Sequence, residues 1–268
     1  MAFYDDCLNG VPFVRSDLIG VPHAFTTRYG GVSSGYLASL NLVRGHGDSV
    51  ENLRENYSRA ASLVGVGRDA CAVTNQVHGA GIRIVDTDDR HIPGSNVPYE
   101  ADGIVTRRRN LPLFCFTADC APLLLCEKDE GVIAAIHCGW RSTALDIMKN
   151  GLTAMERLGA KRSSIYAAIG PALGFCCFES DDDVPEALSQ MLSGAVDGLF
   201  RKREDGKTLV DLRGAIKRRL IQLGVPESHV DVSEECTYCS HDKYWSHRYT
   251  KGKRGGQGAV IVLPGGNK

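Results

Sequence analysis

Apolar positions along this chain follow two rhythms. Short apolar runs of strand length occur over 72–74, 82–85, 111–116, 122–126, 132–137, 165–169, 230–232 and 259–263. Several are apolar on both alternations, which predicts sheet covered on both faces. Between them the period lengthens to that of a helix. Asp48-Ser-Val-Glu51 is a capping-box pattern that predicts a helix over 48–64, stopped by Gly65. Thr143-Ala-Leu-Asp146 opens another, in which Leu145, Met148, Leu152, Met155 and Leu158 recur at helical spacing before Gly159, so the methionines read as core filler. Two further helices are predicted over 184–192 and 209–223. Strands interleaved with helices indicate an α/β or α+β layered fold. Chemistry is then expected where strands end.

No repeat, low-complexity tract or linker divides the 268 residues, so a single domain is expected. The polar stretch 86–99, punctuated by Pro93, Gly94 and Pro98, reads as a long surface connection. Lys plus Arg number 31 against 32 Asp plus Glu, with no long single-sign block, so neither nucleic acid nor an anionic membrane is an expected partner. The N-terminus lacks the basic and apolar regions of a signal peptide, and no run of about 18 apolar residues occurs. Ten cysteines are too dilute for a disulfide scaffold in a chain with room for a core. Reduced thiols in a cytoplasmic setting are expected, some of them as ligands.

Three segments end a predicted strand with a metal-capable side chain: Asn75-Gln-Val-His78-Gly79, Thr117-Ala-Asp-Cys120-Ala-Pro122 and Ile136-His137-Cys-Gly-Trp-Arg141. Two imidazoles and a thiolate suit a catalytic Zn²⁺ that keeps its fourth position for water or substrate. The three residues are far apart in sequence, so only the fold can assemble them. Cys120 as a small core residue and both histidines as satisfied structural groups remain open readings. Cys236-Thr-Tyr-Cys239 has metal-like spacing but no second pair beside it in sequence, only His241 and His247, while Cys176-Cys177 reads as buried thiols.

These segments also carry a resemblance. Phe25-Thr-Thr-Arg-Tyr-Gly-Gly-Val-Ser33, Ser39-Leu-Asn-Leu42, Asn75-Gln-Val-His-Gly79, Ala101-Asp-Gly103, Thr117-Ala-Asp-Cys120, His137-Cys-Gly-Trp-Arg141, Ile169-Gly-Pro-Ala172, Cys176-Cys-Phe-Glu179, Cys236-Thr237 and Tyr244-Trp-Ser-His-Arg248 occur in order over about 25–263. Together they closely resemble the laccase-domain family, first named for multicopper polyphenol oxidase activity and described since as zinc-dependent purine nucleoside enzymes. The resemblance implies a single domain of mixed sheets flanked by helices, with zinc held by His78, Cys120 and His137. It implies phosphorolysis of adenosine, guanosine, inosine and methylthioadenosine, and hydrolytic deamination of adenosine, with purine nucleosides and phosphate as partners. Cys120 and His137 then belong to the catalytic set.

A laccase needs a trinuclear copper cluster held by paired His-x-His segments, and this chain has 8 His and no such pair. Copper remains an alternative occupant, because a His₂Cys set prefers it in raw affinity. Zinc deaminases use a nearby Glu in a His-x-Glu motif, which is missing at His78-Gly-Ala80. Asp119, next to Cys120, is the candidate proton carrier; its plainer reading is a hydrogen-bonded turn carboxylate. Arg28 before Gly30 and Gly31 can cradle phosphate, and Arg141 after Trp140 can clamp phosphate or ribose. Both can equally be structural, as can Arg248. Against the family pattern, Cys138 adds a thiol beside His137 but points to the opposite strand face, and Tyr57, Ser142 and Gln257 replace commoner residues. Two other functions stay open: a metal-free hydrolase with Cys120 as nucleophile and His137 as base, and a non-catalytic nucleoside-binding module. The sequence is silent on oligomeric state.

Overall fold

A computed structural model describes residues 3–67, 71–91 and 97–265. Two large sheets pack face to face, and helices cover their outer faces. The first sheet is antiparallel, in the order Phe3–Leu8, Val11–Ser16, His23–Thr26, Gln257–Ile261, Leu113–Thr117. The second is mixed, in the order Val230–Val232, Ile165–Ile169, Ala121–Glu127, Val132–Cys138, Gly103–Thr106, Ile82–Ile84. Its two edge pairs are parallel and its three inner pairs antiparallel. A small third sheet joins Glu179–Ser180, Thr208–Val210 and Phe200–Lys202.

The double-faced apolar runs explain this layering. In the strand Ala121–Glu127, Ala121, Leu123 and Leu125 face the helices Ile147–Arg157 and Leu212–Gln222, while Leu124 and Cys126 face the other sheet. In Val132–Cys138 the same period-two alternation sends Val132, Ala134, Ile136 and Cys138 to the helical side and Ile133 and Ala135 between the sheets. The outer face of the first sheet, with Phe13, Ala24, Phe114 and Val260, is closed by Tyr57, Ala60 and Ala61 of the helix Val50–Ser62. The result is a mixed α/β arrangement of helix, sheet, sheet and helix. Among the described residues, no helix is long and apolar enough to cross a membrane.

Several local expectations need correction. The run 72–74 forms no strand: Ala72 makes one isolated bridge to Leu113, because the chain only brushes that sheet edge. The N-cap of the first long helix is Ser49, which accepts from the Asn52 N–H at 3.0 Å, whereas Asp48 is drawn inward to the Ser33 hydroxyl and the Asn41 amide. The helix expected from 143 starts earlier, as Trp140–Ala144, and breaks at Asp146 before Ile147–Arg157. Asp146 adopts a left-handed φ of 61°, and its carboxylate pairs with Arg219 at 2.6 Å. That break turns Leu145 outward, 61% exposed, while Met148, Leu152 and Met155 fill the core as read. The start of the 209–223 helix is instead the strand Thr208–Val210, and the helix is Leu212–Gln222. Within 86–99, a single 3₁₀ turn covers Thr87–Asp89; Pro93 and Gly94 lie outside the described residues. Sequence patterning missed the strands Phe3–Leu8, Val11–Ser16, His23–Thr26 and Gly103–Thr106.

Candidate metal centre

The two large sheets separate at one end, and the predicted ligands meet there. Cys120 lies where the chain crosses from the strand Leu113–Thr117 of one sheet to Ala121–Glu127 of the other, and His137 is the penultimate residue of Val132–Cys138. His78 comes from a loop whose backbone turns through a left-handed φ of 59°. Gln76 fixes that loop by acting as a backbone mimic: its amide donates to Phe116 O at 2.8 Å and its oxygen accepts the Phe116 N–H at 2.7 Å. The candidate ligand atoms of His78, Cys120 and His137 all lie within 4.8 Å of one another, and His78 Nε2 is 4.0 Å from Cys120 Sγ. The two imidazoles are edge to face, with centroids 4.8 Å apart.

One carboxylate organises this triad. Asp102 has a fully buried side chain; its Oδ1 takes His137 Nδ1 at 2.9 Å and the His78 N–H at 2.9 Å. Its Oδ2 accepts the Gly79 N–H at 2.8 Å and the Val77 N–H at 3.2 Å. Burial alone would raise the Asp102 pKa, but His137 and these N–H groups outweigh it and hold the carboxyl below its ordinary value. With Nδ1 committed to Asp102, His137 is left with Nε2 as its ligand atom, the usual arrangement of a carboxylate behind a metal-binding histidine. Asp102 has no role in the sequence pattern beyond its place in Ala101-Asp-Gly103, because its burial and the pairing of Gly103–Thr106 with the His137 strand exist only in the fold.

The thiol is poised as a ligand. Burial would push the Cys120 pKa up, yet the charge and hydrogen bonds of His137, with those of His78, bring it down to about 6. Conversely, burial opposes protonation of His137, and the Cys120 thiolate and Asp102 raise its pKa to about 9. By contrast, burial drives the thiols of Cys115 and Cys126 up to about 12, and that of Cys138 well above its ordinary value. Cys138 lies in the core on the helical side, as its alternation predicts. Gly139 closes the site from behind: a Cβ there would stand 3.0 Å from His78 Cδ2, 3.3 Å from Cys120 Sγ and 3.5 Å from His137 Cε1. Two imidazoles, one readily formed thiolate and an orienting carboxylate fit a divalent metal that accepts nitrogen and sulfur.

The triad forms part of the lining of a cavity of about 960 Å³. Its apolar lining includes Tyr57, Val73, Phe116, Leu173 and Phe178, and its cations are Arg44, Arg248 and Arg254, with His247 among them. Asp119 is the sole carboxylate among the described lining residues. Its Oδ1 accepts from Thr237 Oγ1 at 2.7 Å and its Oδ2 from the Arg248 N–H at 2.6 Å. Arg28 and Arg141 are not part of the lining. Arg28 lies over the Trp245 ring at 4.1 Å and donates to Ala38 O at 3.1 Å and His241 O at 3.0 Å. The adjacent Gly31 is packing, since a Cβ there would sit 2.2 Å from Ser39 O. Arg141 stacks on Trp140 at 4.2 Å and is exposed. The departures Tyr57 and Gln257 are likewise built in: Tyr57 packs on Phe114 and Phe116, and Gln257 bonds the backbone of Trp245.

Comparison with known proteins places this geometry. Residues 22–264 match the family described as multi-copper polyphenol oxidoreductase laccase. A protein of Deinococcus radiodurans named purine nucleoside phosphorylase is 36% identical over 255 residues, covering 95% of this chain and 94% of that one. A protein of an unknown prokaryotic organism named adenosine deaminase RL5 is 31% identical over 84% of this chain and 87% of its own length. The crystal structure of YlmD from Geobacillus stearothermophilus superposes with a TM-score of 0.91 at 31% identity, covering 97% of this chain and 98% of that one.

Proposed function

The chain belongs to the multi-copper polyphenol oxidoreductase laccase family, and from that premise we propose that it is a zinc-dependent purine nucleoside enzyme, cleaving nucleosides with phosphate and deaminating adenosine. The observation that carries this reading is the convergence of His78, Cys120 and His137 in a cavity whose lining also holds three arginines. The names of the related phosphorylases and of the related deaminase support it. An oxidase role has less support. Among the described residues the donor set at the cavity is a single His₂Cys triad, and the chain has no His-x-His segment from which a trinuclear copper cluster is built.

His78, Cys120 and His137 would hold the ion, which when bound supplies Lewis acidity for polarising water or a substrate oxygen. The remaining work falls to the chain's own residues. Asp102 keeps its partner proton on His137 Nδ1 and holds the His78 turn, so both ligands are set before substrate arrives. Tyr57, Phe116 and Phe178 offer apolar faces for a purine ring and exclude water around it. Arg44, Arg248 and Arg254 are the candidate phosphate holders, where charge-assisted bonds fix the anion for attack on the ribose C1′. Asp119 is the proposed proton carrier for both reactions; its two anchoring hydrogen bonds hold it in the cavity wall beside Cys120.

A second reading draws on one specific arrangement: a low-pKa Cys120 beside His137, itself backed by Asp102, resembles the thiolate–imidazole–carboxylate line of a cysteine hydrolase. That reading gives no role to His78, whose backbone Asp102 fixes as firmly as it fixes His137. Adenosine turnover with and without phosphate, with products read by mass spectrometry, separates the two. Phosphate-dependent release of adenine and phosphate-independent formation of inosine, both abolished by metal removal and by Cys120→Ala, are expected. Full activity in metal-free protein would overturn the zinc reading in favour of the hydrolase.

A further inference from the structure

Four sulfurs meet outside the cavity. Cys176 and Cys177 lie in the loop after the strand Ile165–Ile169, and Cys236 and Cys239 in the turns after Val230–Val232. Those strands are parallel neighbours, so both loops leave the same end of the sheet. A bridge between Ala172 and Cys236, and the Thr237 N–H donating to Ala172 O at 3.0 Å, then lay them side by side. All four sulfurs fall within 4.8 Å of one another, with Cys176 Sγ and Cys177 Sγ at 3.7 Å and 3.5 Å from Cys239 Sγ. The Cys176-Cys177 pair is the partner that the Cys236-x-x-Cys239 spacing lacked in sequence, and only the fold supplies it.

We propose that Cys176, Cys177, Cys236 and Cys239 form a second, structural zinc site that clamps one wall of the cavity. Zn–S bonds of about 2.3 Å set the edges of a tetrahedron of sulfurs at about 3.8 Å, close to the separations seen. A disulfide would need about 2.05 Å, and all four cysteines are free thiols. The surroundings suit thiolates. The Gly174 N–H donates to Cys236 Sγ at 3.2 Å, and the N–H groups of Tyr238 and Cys239 donate to the same sulfur. Gly174 can approach so closely because it has no Cβ: one would lie 3.0 Å from Cys236 Cβ and 3.3 Å from both Cys176 Sγ and Arg213 Nη2. Arg213, buried at the start of the helix Leu212–Gln222, donates to Glu235 O at 2.8 Å and sets its charge beside Cys176 and Cys236. A zinc tetrathiolate is a net dianion, and this guanidinium offsets it.

None of the four sulfurs belongs to a cavity-lining residue, and four protein ligands leave no open position, so the site is structural rather than catalytic. Its position gives it a task. Leu173 and Phe178 line the cavity on either side of the first cysteine pair. The second pair flanks Thr237, which bonds Asp119, and precedes the segment that carries His247 and Arg248. The ion would pin these two wall segments together.

The test is metal analysis and native mass spectrometry of protein purified under reducing conditions. Two zinc ions per chain are expected, falling to one in Cys120→Ala and to one in Cys176→Ser/Cys239→Ser, with different cysteines exposed in each. Should the double variant fail to fold, alkylation of the wild type gives the same answer: all four thiols should resist N-ethylmaleimide until a chelator is added. A single zinc lost entirely with Cys120→Ala, iron in place of zinc, disulfides joining these cysteines, or alkylation of the four without chelator would each overturn the proposal. Absence of nucleoside turnover in protein that still binds two zinc ions would overturn the proposed activity and leave this site standing.

Discussion

Asp102 Oδ1 lies 2.9 Å from His137 Nδ1, and the same oxygen accepts the backbone N–H of His78. One buried oxygen thus fixes the ring of one ligand and the backbone of another. An Asp102→Asn variant keeps the shape but places an amide where a carboxylate holds the Nδ1 proton. Metal affinity is expected to fall by about 10–100-fold, the usual cost of losing such an outer partner. Competition with a chelator would measure it, with circular dichroism confirming the fold. Unchanged affinity would mean that Asp102 serves only the turn.

The layered fold was legible in the apolar pattern, whereas the grouping of His78, Cys120 and His137 came only with the family resemblance, because the three are far apart in sequence. Apolar runs with both alternations filled, such as Val132–Cys138, can only be buried on both faces, and His137, a polar residue near the end of that run, is buried as well, with Asp102 satisfying its Nδ1. The strand Phe3–Leu8 carries Asp5 and Asp6 and is largely exposed, so it shows no apolar run; its pairing with Val11–Ser16 is a local hairpin closed by Asn9 and Gly10, both at positive φ, a turn signal that apolar patterning does not use. The cations that line the cavity were not legible either. Arg28 sits beside a Gly-Gly pair that looks like an anion cradle, but Gly30 turns through a positive φ against Val11 and Gly31 admits the close approach of Ser39, while Arg254 comes from a region with no motif at all. The tetrathiol cluster was hidden because its two halves are some 60 residues apart and meet only through parallel strand pairing.

Gly139 offers a steric probe of the triad. Its φ of −68° and ψ of 163° suit any L residue, so Gly139→Ala brings no backbone strain, only a methyl pressed against all three ligands. Loss of the glycine N-cap costs about 1 kcal/mol at most. Metal content and turnover should therefore drop sharply while the thermal midpoint moves little. A variant with full metal occupancy would show that the ligands can shift to make room.

Arg254 and Arg28 separate anion binding from packing. Arg254 lines the cavity, where burial lowers its pKa against the pull of Asp119 and Cys120. Arg254→Gln should raise KM for phosphate by about 10–100-fold, the worth of a charge-assisted hydrogen bond of roughly 1.5–3 kcal/mol. Deamination of adenosine, which uses no phosphate, should be spared. Arg28→Ala should instead lower stability by about 1–3 kcal/mol through its lost carbonyl bonds and Trp245 stacking, with KM for phosphate unchanged. The opposite pattern in phosphate-saturation curves would return the anion site to Arg28.

His23 sets an acid limit on the fold. It is buried in the first sheet, with Nδ1 donating to Val21 O at 2.8 Å and Nε2 accepting the Ser16 N–H at 3.0 Å, so the neutral ring is the form that fits. Burial lowers its pKa to about 4, outweighing the Val21 carbonyl, which acts in the opposite sense; nearby Arg15 reinforces the lowering. In the unfolded chain the ring protonates near 6.5. Stability from the neutral ring is therefore fully present above about pH 6.5, and it is lost as pH falls toward about 4, because the unfolded chain takes up a proton that the fold refuses. Linkage puts the loss at about 3 kcal/mol. Urea midpoints taken across that range should fall more steeply for the wild type than for His23→Gln, which cannot titrate. Parallel slopes would mean that the ring is already protonated inside the fold and that its contact with the Ser16 N–H is not maintained in solution.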